Sequence, residues 1–391
     1  MKQSQQNPAP ESRSPALERR YIHNRNLCLL LAALIIAGGL LAAFSPDRDF
    51  SEQENRKLAQ RPVLTRAALA DGSYFADLTD WYNDQFPYRD TWLSIKLRLE
   101  TLRGSREAGG VYLGQDGYLL EPPEAPSPAL DVTLQAIRNF AANHSELPMR
   151  MLLVPCAAAA MPELLPEYAP VRDQAADIAA VEQALAGSVT FLHPQFTPSP
   201  EGAIYYKTDH HWTTLGAWQA FQTTAADMEL DPAAASWIAY PVSDSFRGTL
   251  SSRSGSRDQT DSIAVYAPLE EQPYYVFYPD TQIKTATLYA REKLDTKDQY
   301  AVFLDGNHPL AEIRTTTLND RRLLVFKDSY ANCFLPFLVP YYESIVVVDP
   351  RYCFSSAEAL LAEYNITEVL YLYSANLFLT DTSLASLLSA Q

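Results

Sequence analysis

Residues Leu27 to Phe44 read LCLLLAALIIAGGLLAAF, a run without a single charge. As a helix rising 1.5 Å per residue it spans about 27 Å, close to the roughly 30 Å hydrocarbon core of a bilayer. Arg19, Arg20 and Arg25 precede the run, and Asp47, Arg48 and Asp49 follow it. The Lys/Arg bias assigns the N-terminus to the cytoplasm and the remainder to the far side of the membrane. A cleaved signal peptide is the rival reading, but its apolar stretch is usually only about 7–15 residues. The best small-x-small triplet, Ala43-Phe44-Ser45, would also leave Pro46 as the first mature residue. The expectation is an uncleaved signal anchor in the cell membrane, single-pass, with residues 46–391 extracytoplasmic.

Charge separates the same two parts. The net charge is -16, from 31 Lys+Arg against 47 Asp+Glu, although residues 1–44 hold five basic and two acidic residues. The acidic bulk argues against nucleic acid as a partner, because phosphate neutralisation needs a basic face. With 47% hydrophobic and 20% charged residues the chain is globular, and 391 residues suit one large α/β domain with insertions or two domains. Cys28 lies in the apolar run, which leaves Cys156, Cys333 and Cys353 outside it, with no CxxC or zinc spacing. Buried free thiols, or one bridge among the three, satisfy that pattern.

Residues 1–26 are polar and are expected to form a disordered cytoplasmic tail before the transmembrane anchor at 27–44. Residues 45–128 are expected to form an entry module and linker. In this stretch Leu78, Trp81 and Tyr82 hold helical spacing, Pro87 breaks it, and Trp92, Ile95 and Leu99 resume it. Val111–Leu120 reads as a hairpin, and four prolines in 121–128 read as a linker. From 129 to 391 apolar runs alternate with helical segments: MRMLLVP (149–155), VTFLHP (189–194), RLLVF (322–326), SIVVV (344–348) and EVLYLY (368–373). Continuous Val/Ile/Leu runs between helices predict a parallel sheet covered on both faces, a three-layer flavodoxin-like core. Residues 229–300, rich in Tyr, Thr and Ser, read as a β-rich insertion.

Three polar clusters could carry chemistry. In TDHHW, Asp209 and His211 could be the orienter and base of a nucleophilic triad, since residues two apart share a face of an extended segment. A structural cluster is the alternative. Ser329, in FKDSYAN, follows an apolar strand, where α/β sheets place ligands, although Ser and Asp are also common helix caps. Asn376 ends a third strand and could donate its amide to an oxyanion, and Asn307 in FLDGNHP is a further candidate; turn-forming Asn is the commoner case.

TDHHWTTLGA (208–217) resembles the signature of the DHHW family, which is similar to the alginate O-acetyltransferase domain family with its circularly permuted SGNH-hydrolase fold. The likeness extends to SEQENRKLAQRPVL (51–64), YNDQFPYRD (82–90), FRGTLSSRSG (246–255), FLDGNHP (303–309), FKDSYANCFLPF (326–337) and VVVDPRY (346–352). It implies Asp209, His211 and Ser329 as catalytic residues and Ser329 N–H with Asn376 as oxyanion donors. His210, Trp212, Tyr206, Asn307 and Arg351 are candidate substrate-binding residues. After SIVVV the SGNH pattern wants a Gly donor where this chain has Asp349-Pro350-Arg351, so the second backbone donor is unassigned. The implied activity is an O-acetyltransferase or acetylesterase of polysaccharide modification in the cell envelope. No metal or cofactor is expected; a multi-pass membrane O-acyltransferase would deliver the acetyl group, and a glycan or wall polymer would accept it.

Two other classes compete. Asp-His-His also occurs in metal-dependent DHH phosphoesterases, which need further spaced aspartates; Asp47-Arg-Asp49, at the membrane boundary, is the only nearby Asp-x-Asp. A non-catalytic glycan-binding or assembly module would use the Tyr-rich region for sugar stacking.

Overall fold

The structure is a computed structural model and describes residues 15–51, 56–270 and 272–390. Within them, one compact unit takes the chain up to Ser51 together with Arg56–Trp92, and a second takes Leu93 onward.

The first unit opens with a helix from Pro15 to Phe44, of which Arg19–Leu41 is long and apolar enough to cross a membrane. The expected tail is therefore helical from residue 15, while residues 1–14 lie outside the described residues. Pro is favoured at a first helical position, and the following Ala, Leu, Glu and Arg are strong helix formers. Helices Arg66–Asp71 and Ser73–Gln85 follow, and after a break at Pro87, as the spacing predicts, the helix Arg89–Leu102 begins in this unit and runs on into the second. Gln85 and Asp84 explain the YNDQFPYRD motif. The Gln85 side chain pairs with both backbone groups of Arg48 (2.9 Å each) and with Ala59 C=O (3.0 Å), while Asp84 accepts from Ala59 N–H (2.8 Å). These side chains hold the chain on either side of the short strand pair Phe50–Ser51/Arg56–Lys57.

The second unit is built on an eight-stranded mixed sheet. Its strands, numbered along the chain, are β1 Met149–Val154, β2 Thr190–Phe191, β3 Tyr274–Tyr278, β4 Ile283–Thr285, β5 Leu310–Thr315, β6 Arg322–Lys327, β7 Ser344–Val348 and β8 Glu368–Ser374. The spatial order is β4-β3-β5-β7-β6-β8-β1-β2. All five predicted strands form, and β7-β6-β8-β1-β2 run parallel, with Val325 beside Val347 and Leu370. β2 is only two residues long, although Leu192 N–H still donates to Met151 C=O (2.8 Å) before His193 and Pro194.

Both faces of the parallel part are covered. Leu324, Phe326, Val346, Val348, Val369 and Tyr371 pack with helices 130–143, 357–364 and 383–389. Leu323, Val325, Ile345, Val347, Leu370 and Leu372 pack with helix 214–224 and the segment 330–342. Each such fully buried aliphatic side chain contributes about 1.5–3 kcal/mol. This is why the strands read as unbroken apolar runs.

Two expectations about organisation need correction. The region 229–300 is β-rich, but only the hairpin Trp237–Phe246/Asp261–Pro268 stands apart. Strands β3 and β4 join the main sheet antiparallel through β5, where apolar Ala311 and Ile313 alternate with Glu312 and Arg314. The boundary expected after residue 128 is also absent. Leu119 N–H donates to Lys207 C=O (2.8 Å), and Val111 and Leu119 pack on Leu250, so the predicted hairpin belongs to the unit that holds the sheet. The proline-rich stretch is extended chain with bound backbone groups, not a free spacer.

Candidate active site

The C-terminal end of β6 delivers Lys327-Asp328-Ser329. Lys327 is fully buried and its ammonium donates to Asn307 Oδ1 (3.0 Å) and Asn332 Oδ1 (2.9 Å), with Asp349 Oδ2 at 3.6 Å. Burial pushes the ammonium down to about 8, against the pull of Asp349. Asp328 caps the short 3₁₀ helix Ser329–Cys333 by accepting from Tyr330 N–H (2.9 Å). Its other oxygen takes the N–H and hydroxyl of Ser374 (2.9 and 2.7 Å), tying β6 to β8. Pro336 and Pro340 remove donors from the following turns, so the segment stays 3₁₀ rather than becoming an α-helix. Ser329 N–H has no hydrogen-bond partner among the described residues.

Asp209 and His211 meet by a turn, not on the extended strand that was expected. Tyr205 bridges Trp212, and Asp209 Oδ1 accepts the backbone N–H of His211 (3.1 Å), a local Asp-turn that also brings His211 Nδ1 onto the same oxygen. His211 Nε2 then lies 2.7 Å from Ser329 Oγ. The remaining Asp209 oxygen accepts from Thr249 N–H (2.7 Å) and Thr249 Oγ1 (3.1 Å). Burial alone would raise the Asp209 carboxyl. The His210 and His211 charges and these donated hydrogen bonds outweigh it and hold the carboxyl well below the usual range. The sequence reading missed Thr249 and Gly248. A Cβ on Gly248 would meet Asp209 Oδ2 at 2.1 Å, so FRGTLSSRSG is the seat of the Asp209 carboxylate. Tyr300, also missed, stacks on His211 (centroids 3.8 Å apart, 11° between planes) and donates to Ser329 C=O (3.1 Å).

The other predicted residues divide. His210 and Arg351 line a cavity of about 400 Å³ beside Ser329, together with Glu121, Glu124, Ser374, Asn376 and Thr380. His210 Nδ1 lies 2.7 Å from Thr249 Oγ1, and its ring is held below its ordinary pKa by burial and by the charge of His211, against Asp209 and Glu121. Arg351 is clamped by Asp349 (2.9 and 2.7 Å), the residue standing where the SGNH pattern wants Gly. Trp212 and Tyr206 are core residues, not substrate contacts: both are buried, and Trp212 Nε1 donates to Tyr330 C=O (2.8 Å), bracing the His211 turn against the Ser329 helix. Asn307 lies outside the cavity and serves Lys327 and Asn332.

Asn376 reaches the cavity but its amide is committed. Nδ2 donates to Glu121 Oε1 (3.1 Å) and Pro122 C=O (3.2 Å), and Oδ1 accepts from Glu124 N–H (2.9 Å) and Gln174 Nε2 (2.7 Å). Both amide hydrogens are used in fixing the proline-rich segment, so the oxyanion role expected of Asn376 does not fit this geometry. Ligand atoms of Asp209, His210 and His211 lie within 4.8 Å of one another, a spacing compatible with a cation. Each is engaged in the hydrogen bonds above, and the donors on Asp209 suit a free carboxylate.

Comparison with known proteins reaches the same elements. The model of the DHHW protein family matches residues 195–348. That segment is similar to the DHHW family. It carries Asp209, His211, Thr249, Tyr300 and Ser329, whereas Glu121 and Asn376 lie outside it. Three solved structures share the fold. A DHHW family protein from Eubacterium siraeum is 20% identical over 71% of this chain and 95% of its own, with a TM-score of 0.61. Bacillus cereus PatB1 with a sulfonyl adduct is 19% identical, over 70% and 97%, at 0.58. PatB1 itself is 19% identical, over 69% and 97%, at 0.58. No curated protein matches the sequence.

Proposed function

We propose that the chain is a membrane-anchored, extracytoplasmic serine O-acetyltransferase or acetylesterase acting on a cell-surface glycan. The observation that carries the reading is the chain of contacts Asp209–His211–Ser329, with Nε2 and Oγ 2.7 Å apart at the rim of a cavity. That distance lies within the hydrogen-bond reach a general base needs, about 2.6–3.2 Å.

His211 Nε2 takes the Ser329 proton as Oγ forms a bond to the acetyl carbonyl carbon. The carbonyl oxygen becomes an oxyanion against Ser329 N–H. The tetrahedral centre collapses, the bond to the donor oxygen breaks, and His211 returns the proton to that oxygen. A glycan hydroxyl, or water, then gives its proton to His211, bonds to the acetyl carbon, and releases Ser329 to be reprotonated. Asp209 holds the imidazole tautomer and stabilises the imidazolium.

Strand order supports a circularly permuted SGNH-type fold: begun at β6, the parallel run β7-β6-β8-β1-β2 reads 2-1-3-4-5, the flavodoxin-like order. The Arg19, Arg20 and Arg25 flank supports an exterior location. Acetyl groups would come from a multi-pass membrane O-acyltransferase. The alginate-acetyltransferase resemblance supports acetyl as the acyl group.

The test is acetyl release from 4-nitrophenyl acetate by the full chain in detergent micelles. His211→Ala is expected to abolish it and His210→Ala to cost less. Equal loss in a folded His210→Ala variant contradicts the assignment, and no turnover at all in the unsubstituted chain favours a glycan-binding module.

A further inference from the structure

The cavity lining is chemically one-sided. The Glu121 carboxylate turns into it with its side chain 16% exposed, held by Asn376 Nδ2 (3.1 Å) and, more loosely, by Arg253 (3.5 Å). Glu124 adds a second, exposed acid. The lining guanidinium, Arg351, is held by the bidentate clamp of Asp349, a carboxylate that it shares with the Lys327 ammonium (3.6 Å). An acidic polymer entering here meets three lining carboxylates, Glu121, Glu124 and Asp328, against one guanidinium that is already paired.

Beyond Arg351 the chain turns, with Tyr352 and Cys353 N–H both bonded to Asp349 C=O (3.1 Å). The Arg351 guanidinium lies over the Tyr352 ring (5.3 Å to its centroid). Tyr352 is 46% exposed and Phe354 99% exposed. A ring of that size left in water three residues along the chain from the cavity-lining Arg351 offers a flat apolar face, the partner that the C–H face of a pyranose takes.

We infer that the acceptor is a sugar chain free of acidic groups, neutral or amine-bearing, which lies over Phe354 and Tyr352 and passes a hydroxyl by Glu121 to the acylated Ser329. This rests on the acyl-transfer reading. The acceptor hydroxyl gives its proton to His211, its oxygen bonds to the acetyl carbon, and the Ser329 Oγ–acetyl bond breaks.

The full chain in detergent micelles is given 4-nitrophenyl acetate and one of three oligosaccharides of equal length: cello-oligosaccharide, chitosan oligosaccharide or oligogalacturonate. Alkali-labile acetyl on each acceptor is measured by mass spectrometry. The first two are expected to be acetylated about tenfold or more faster than the third. Glu121→Gln, which keeps an acceptor for Asn376, is expected to narrow that gap about threefold or more. Phe354→Ala is expected to raise the acceptor concentration for half-maximal transfer about fivefold. Equal or faster acetylation of oligogalacturonate overturns the inference. So do acetylation of none of the three while nitrophenolate is still released, and an unchanged half-maximal concentration in Phe354→Ala. Absence of nitrophenolate release and of acetyl on Ser329 is a different failure, that of the acyl-transfer reading itself.

Discussion

Ser329 and Asn376 follow the C-terminal ends of neighbouring parallel strands, β6 and β8, and their surroundings differ in kind. The side chain of Ser329 touches His211, and its own N–H has no hydrogen-bond partner among the described residues. All four hydrogen bonds of the Asn376 side chain go to protein groups of the 121–124 segment and Gln174. A polar residue at the end of a buried strand can therefore serve chemistry or hold a passing chain. What separates the two is whether any donor or acceptor is left over.

The largest effect that would sharpen this contrast is loss of the nucleophile. Ser329→Ala should lower kcat for acetyl release by about 10⁴-fold or more. The melting temperature should hold, because only the bond to His211 is removed. A variant that melts far lower would make Ser329 a structural residue like Asn376. Next comes Gly248→Ala. The added methyl must displace Asp209, and a drop in kcat of about 10²–10⁴-fold is expected, as for loss of a triad acid. Turnover unchanged in that variant would mean that Asp209 is not needed to orient His211.

Asn376→Ala should act on stability first. It leaves Glu124 N–H and Gln174 Nε2 without their acceptor, and about 1–3 kcal/mol of destabilisation is expected in denaturant unfolding. A fall of about 10²–10³ in kcat with unchanged stability would instead restore the oxyanion role and erase the distinction between the two strand ends.

The smallest effect concerns pH. His210 is held below its ordinary 6.5, so the unfolded chain binds its proton more readily than the folded one. Stability then rises with pH through the window below 6.5 and is lost as pH falls through it. His210→Gln should flatten that slope in melting temperature without removing turnover. An identical slope in wild type and variant would place the pH dependence elsewhere.

The parallel core was legible because strands buried on both faces must be apolar throughout, as SIVVV and EVLYLY are. β5 was not legible: Leu310–Thr315 pairs antiparallel between β3 and β7, and Glu312 and Arg314 interrupt its pattern. Asp209, His211 and Ser329 were found through motif resemblance, yet the extended geometry assumed for TDHHW was wrong, since a local side-chain turn leaves no periodicity. Thr249 and Gly248 lie forty and thirty-nine residues from Asp209 in sequence, and only the folded chain brings them onto its carboxylate. Trp212 and Tyr206 looked like sugar contacts because an aromatic residue beside a site reads the same whether it faces the cavity or the core.

The central claim is that Ser329 carries the acyl group. Incubation of the full chain with 4-nitrophenyl acetate, quenching in acid and peptide mass spectrometry should find one acetyl group, on the peptide containing Ser329. It should be absent from Ser329→Ala and should accumulate no further in His211→Ala. Acetyl found elsewhere, or hydrolysis at the wild-type rate in Ser329→Ala, would contradict the account.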